Sequence, residues 1–245
     1  MKLPSGPYGT SVDARQPLAD ATAACKAVST LTAEIGATGS VGGQRFRARI
    51  SAGLGAPASA RLEAAAPFGA PMFILVATGG DATLVLPHDG RVLEHAPPDA
   101  VLEALAGVPL DAGDLRLALT GCTKTADGAA AKARGDDWRV VADGQNEAFL
   151  HREPSQQSWH LVATVFHGSR GGDWRAEYRE FQSGLPRSVR FVGAARDSFD
   201  LRLALSQVDV NTPLGPDVFR VQVPRDADPI TVDELKRARP GVRKD

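Results

Sequence analysis

Arg61-Leu62-Glu63-Ala64, Ala66-Pro67-Phe68-Gly69-Ala70 and Met72-Phe73-Ile74-Leu75-Val76-Ala77 follow one another in the stretch that decides the fold. The first alternates charged with apolar residues, as a strand with one wet face does, whereas the third is apolar throughout and needs cover on both faces. Between them stands a Pro/Gly loop with a bare aromatic, Phe68, at its centre. Downstream, Val101-Leu102-Glu103-Ala104-Leu105-Ala106-Gly107-Val108-Pro109-Leu110 runs into Asp114-Leu115-Arg116-Leu117-Ala118-Leu119-Thr120-Gly121. Pro98 and Asp99 suit a helix start, Gly107 and Pro109 a stop, and Asp114 a restart, so residues 98–121 form a helical insert between strands.

Outward from this stretch the period is two. Arg45, Arg47 and Arg49 alternate with Phe46, Ala48 and Ile50, which makes one face cationic and wet and the other apolar. Turn pairs at Gly42-Gly43, Gly79-Gly80, Asp89-Gly90, Asp143-Gly144 and Gly171-Gly172 permit the positive φ of tight hairpins and predict an antiparallel meander. About a dozen strands, the last at residues 217–223, are too many for one flat sheet. The expected fold is mainly β with α, a strongly curved antiparallel sheet covered by helices. Phe199, Leu201, Leu203 and Leu205 share a face, but the pattern resumes at Val208 and Val210, which predicts a bulge near Ser206-Gln207. Leu18, Ala21, Cys25, Val28 and Leu31 recur at helical spacing. The Gly/Pro/Ser-rich residues 1–15 are expected to be a flexible leader, residues 16–223 a single domain, residues 123–136 a loop, and residues 224–245 an extension with a short helix near Ile230–Leu235.

Lys+Arg 28 against Asp+Glu 29 leaves a net charge of -1, which gives no general attraction to a polyanion and argues against nucleic acid as a partner. No apolar run approaches the roughly 20 residues of a spanning helix. The two cysteines, Cys25 and Cys122, lack metal-ligand spacing and are either a single disulfide or two buried thiols.

The five histidines, His88, His95, His151, His160 and His167, show no repeated ligand spacing, so no metal is expected. Asp136-Asp137 lies in a loop, and Asp99 and Asp233 look like helix-start residues rather than acids of a catalytic pair. Neither a nucleophile elbow nor a phosphate-cradling glycine loop occurs, and no cofactor or enzymatic activity is expected. What remains is a surplus of apolar strand faces. Ordinary core packing accounts for any one of them, and an apolar ligand cavity is the functional alternative.

The loop at Pro67-Phe68-Gly69, the helix ending at Gly107-Val108-Pro109 and the Leu-rich second helix come in an order that resembles the lipoprotein localisation family, LolA and LolB, with the outer-membrane acceptor LolB the nearer of the two. Trp174-Arg175-Ala176-Glu177-Tyr178, Leu185–Phe191 and Phe199–Leu203 extend the similarity over about residues 44–210. The resemblance implies a half-barrel whose apolar cavity takes up lipoprotein acyl chains or other lipid. In the strand register read above, Phe46, Ile50, Leu62, Phe73, Leu75, Leu84, Leu161, Trp174, Phe191 and Leu203 would line it. Phe68 falls where the family has a protruding leucine used in handing lipoproteins to the membrane, so Pro67, Phe68 and Gly69 would form a membrane-delivery loop. The implied partners are a periplasmic carrier and the inner leaflet of the outer membrane, and the implied state is a monomer facing the periplasm. The natural precursor would carry the anchor, since neither a signal peptide nor a lipid-attachment cysteine is present in these residues. An oxidising envelope would favour a Cys25–Cys122 bridge. An envelope interaction module with a self-filled half-barrel is the other function class.

Overall fold

The computed structural model describes residues 3–4, 9–66, 69–124, 131–143, 146–152, 158–167, 172–195 and 198–238. In chain order the elements begin with β1 (Ser11–Val12), α1 (Arg15–Lys26), β2 (Thr30–Val41), β3 (Gln44–Gly55), β4 (Ser59–Ala64), β5 (Phe73–Thr78), β6 (Asp81–Leu86) and β7 (Arg91–Ala96). Helices α2 (Pro98–Ala106) and α3 (Ala112–Thr120) follow, and then β8 (Ala131–Arg134), β9 (Trp138–Asp143), β10 (Asn146–His151), β11 (His160–Phe166), β12 (Trp174–Gln182), β13 (Leu185–Gly193) and β14 (Phe199–Val210). A 3-10 turn at Pro216–Phe219, β15 (Asp228–Pro229) and α4 (Val232–Ala238) are the last elements among the described residues. The fold class is the expected one, mainly β, built of curved and unclosed antiparallel sheet with few helices.

The chain forms two compact units, residues 1–27 with 117–195 and residues 28–116 with 196–245. In the first, the strand order is β1-β8-β9-β10-β11-β12-β13, and α1 packs on β10 and β11. Cys25, in the last turn of α1, is joined by a disulfide to Cys122, just beyond α3. Leu18, Thr22 and Cys25 form the buried stripe of α1, and the Thr22 hydroxyl donates to the Leu18 carbonyl, so this polar member of the stripe is satisfied within the helix. Residues 9–12, read from the sequence as leader, pair with β8: Gly9 N donates to Ala133 O, and Val12 sits opposite Ala131. Strand β8 itself lies in the stretch expected to be a loop.

In the second unit the order is β14-β2-β3-β4-β5-β6-β7-β15, antiparallel except that β15 lies parallel to β7. Helix α2 ends as its sequence dictates, with Gly107 in the left-handed region (φ 74°). A methyl group there would press on Val41 and Phe199. Register slips between Ser206 and Asp209, with Gln207 at φ 49°, which is the bulge the change of parity predicted.

Residues 217–223, expected to be a strand, are not one. Pro216 opens a 3-10 turn instead, and the carbonyls of Val218 and Arg220 are taken by Arg61 Nη1 at 3.1 and 2.8 Å rather than by a neighbouring strand. This segment crosses the polar face of β4 and β5, with the Phe219 ring seated over Gly55. It supplies the second cover that the continuous apolar run needs, and Val76 is buried as a result. Helix α4 starts with a reciprocal cap: Glu234 N donates to Thr231 Oγ1, and Thr231 N donates to Glu234 Oε2. That accepted hydrogen bond lowers the Glu234 pKa. Helix α4 then packs on α2, and Lys236 meets Glu103 at 3.3 Å. Arg61→Ala should therefore free the crossing segment at a cost of about 1–2 kcal/mol. The expected readout is faster limited proteolysis between residues 211 and 224, with the rest of the chain protected.

Candidate functional site

The second unit presents one apolar face, and strand register aligns its side chains in rows. Leu62, Leu75, Leu84 and Leu93 are successive cross-strand partners, with Ala52 opposite Leu62. The next row carries Leu205, Ile35, Ile50, Ala64 and Phe73, and beyond it lie the rows Leu203-Ala37-Ala48 and Leu201-Gly39-Phe46. Seven of the ten residues expected to line a cavity, Phe46, Ile50, Leu62, Phe73, Leu75, Leu84 and Leu203, thus share this face. All are buried except Ile50, which with Ala48 is half-buried, so the face is most open along the middle of β3.

The other three lie in the first unit. Trp174 stacks on Phe166 (4.0 Å, 6°) and meets the Phe191 edge at 5.8 Å. Simple alternation would put Leu161 on the opposite side of β11 from Thr164 and Phe166. A register shift between Phe149 and Leu150 sets Leu161 opposite Leu150, which returns it to the side of Thr164, Phe166 and Trp174. Tyr178 is fully buried on that face, and burial pushes its phenol up to about 12, the nearby Thr164 hydroxyl opposing the shift. On the reverse face Glu177, only 1% exposed, accepts from Arg175 Nε at 2.8 Å, with Arg190 and Arg179 at 3.8 and 4.0 Å. One buried carboxylate thus organises three guanidinium groups over β12 and β13, a structural ion cluster that alternation alone does not reveal.

Of the delivery loop, Pro67 and Phe68 lie outside the described residues. Gly69 is exposed with φ 80° and has open space around its α-carbon. The loop's far side is held by His88 Nε2 at 2.8 Å from Ala70 O. The polar face of the same unit carries a cleft of about 400 Å³ lined by Glu34, Ser51, Arg61, Glu63, Asp209 and Val218, among others. Its carboxylates make it unsuited to an acyl chain, and no local pattern in the sequence marks it because its residues come from five separate segments.

Among the described residues no group of three or more His, Cys, Asp or Glu side chains converges as a metal site, and no helix is long and apolar enough to cross a membrane. His167 is placed by carboxylates: Nδ1 lies 2.9 Å from Asp173 Oδ2 and Nε2 3.5 Å from Glu147 Oε2. The hydrogen bond to Asp173 raises its pKa above 6.5, partial burial opposes the rise, and Glu147 reinforces it. Because the folded value is the higher one, this contribution to stability is complete below the unfolded pKa and is lost as pH rises through the folded value. Stability should decline from mildly acid toward mildly alkaline pH, and His167→Gln should flatten that decline in thermal melts. An unchanged slope would remove His167 as its cause.

The chain matches no protein-family model and no curated protein. Among solved structures it is similar to a LolA-superfamily protein of Nitrosomonas europaea, with 12% identity, a TM-score of 0.56, and coverage of 86% of this chain and 98% of that one. It is also similar to a DUF1329-family protein of Desulfovibrio piger, with 10% identity, a TM-score of 0.53, and coverage of 85% and 98%. Similarity at this identity speaks to architecture alone: the chain has a LolA-like fold.

Proposed function

We propose that this is a non-enzymatic protein of the bacterial envelope that binds lipid or lipoprotein acyl chains against its apolar strand faces and passes them to a membrane. The observation that carries this reading is the set of aligned leucine and phenylalanine rows in the second unit, open at Ala48 and Ile50, on a LolA-like fold. Acyl chains need only apolar walls, and each buried methylene contributes about 0.8 kcal/mol. The Cys25–Cys122 disulfide supports an oxidising compartment. Within this reading Pro67, Phe68 and Gly69 form the delivery loop, and a LolB-like anchored acceptor and a LolA-like soluble carrier are its two forms.

A second reading, an envelope interaction module filled by its own side chains, is favoured by one observation: nine of the ten expected lining residues are already buried by the protein. Uptake of a fluorescent long-chain fatty acid separates the two. Wild-type protein should take it up, and Ile50→Asp should weaken uptake at least tenfold by placing a charge at the open part of the face. Phe68→Glu should leave uptake and melting temperature nearly unchanged while abolishing transfer to liposomes. Absence of uptake by the wild type would favour the filled module, and unimpaired transfer by Phe68→Glu would remove the loop's role.

A further inference from the structure

On the polar face of the second unit, Arg45, Arg47 and Arg49 of β3 and Arg202 of β14 are all exposed. Register sets Arg47 and Arg202 on either side of Thr38, Arg45 opposite Ser40, and Arg49 opposite Gly36. Among the described residues none of the four guanidinium groups meets an acceptor, although other arginines of the unit do, Arg61 on Glu63 and Arg91 on Glu234. The nearest carboxylate in these rows is Asp200, half-buried across from Ser40. We propose that this arginine comb is a docking surface for the phosphate headgroups of an anionic bilayer, an assignment that rests on the lipid-handling function proposed above and adds the surface by which the protein meets the membrane.

Three features select this occupant. The comb is an exposed strand face, with side chains two residues and so roughly 7 Å apart along β3. Such spacing suits many separate phosphates better than one small ligand, and guanidinium groups bind phosphate oxygens in pairs. The comb also stands beside the rim where the β2–β3 turn, the β4–β5 loop and the β6–β7 turn emerge. Ala65 N donates to Arg49 O, so the strand leading into the Pro67-Phe68-Gly69 loop is hydrogen-bonded to the comb itself. Cationic side chains beside the start of a loop whose sequence carries an aromatic residue suit an interfacial anchor. Finally, Glu34, Glu63 and Asp209 lie farther along the same polar face, and they would repel a long polyanion laid across it. A membrane approached by the rim alone meets the arginines and not these acids.

The test is sedimentation with vesicles of phosphatidylcholine alone or mixed with phosphatidylglycerol, using wild type, the triple variant Arg45→Gln/Arg47→Gln/Arg49→Gln and its Lys counterpart. Each cationic side chain near an anionic surface contributes roughly fivefold, so the Gln variant should bind the mixed vesicles about a hundredfold more weakly. The Lys variant should retain most of the binding, and raised salt should weaken the wild type. All variants should melt with the wild type, since the three side chains are exposed and hold no hydrogen bond or ion pair among the described residues. Equal wild-type binding to both kinds of vesicle, an unaffected Gln variant, or binding to soluble polyglutamate but not to vesicles would overturn the proposal, the last by assigning the comb to an acidic protein. The proposed function fails separately: charge-dependent vesicle binding without fatty-acid uptake would keep the comb and reject the carrier, whereas uptake without charge-dependent binding would do the reverse.

Discussion

Reduction of the Cys25–Cys122 disulfide, or Cys25→Ser, is expected to lower the melting temperature by about 10 °C. The bridge spans 97 residues of sequence, and a loop of that length restricts the unfolded chain by roughly 5 kcal/mol in the loop-entropy account. The closed loop contains the whole of residues 28–116, so the bond fixes the points at which the chain leaves the first unit and returns to it. In the folded protein the two α-carbons are 5.6 Å apart, and Cys25 is held by the buried stripe of α1. Thermal melts with and without reductant, paired with thiol titration in denaturant, give the result. Two reactive thiols before reduction, or melts that superimpose, would contradict both the bridge and the oxidising compartment it supports.

Leu84→Ala should cost about 3 kcal/mol, a large fraction of the stability of any domain. Leu84 is fully buried, with Leu75 and Leu93 as its cross-strand partners. Truncation removes methylenes from a row that cannot close around the gap without shifting two neighbouring strands. Ile50→Ala, on the half-buried part of the same face, should cost only about 1 kcal/mol. Denaturant melts of the two variants measure how far the apolar face is packed core and how far it is open wall. A cost below 1 kcal/mol for Leu84→Ala would mean that Leu84 backs onto open space and that the ligand surface extends across β6.

Much of this was legible in the sequence because period-two alternation and glycine turns are local signals. Gly42, Gly43, Gly79 and Gly90 all take the positive φ that their hairpins require, and the parity change at Ser206-Gln207 located a bulge to within a residue or two. The misses were non-local. Ala131-Lys132-Ala133-Arg134 has little intrinsic strand preference and becomes β8 because β9 on one side and residues 9–12 on the other pair with it. Phe219-Arg220-Val221-Gln222-Val223 alternates like a strand, yet Arg61, some 160 residues earlier in the chain, takes its carbonyls before any ladder can. Of the candidate site, the seven residues of the second unit could be aligned from alternation alone. Leu161 joins Trp174 and Phe191 only through a shift in register, which no count of apolar residues along β11 reveals. The arginine comb was visible as a wet face, but only the fold shows that the β4–β5 loop departs beside it.

The most direct test of the proposed function is native mass spectrometry of the protein purified without detergent from a bacterial envelope, followed by lipid extraction. Binding of acyl chains predicts adducts of discrete lipid mass that persist through gentle desolvation, disappear on extraction, and are depleted in Ile50→Asp. A bare chain mass in every preparation, together with no lipid in the extract, would contradict it and leave a filled half-barrel that binds partners by its surface.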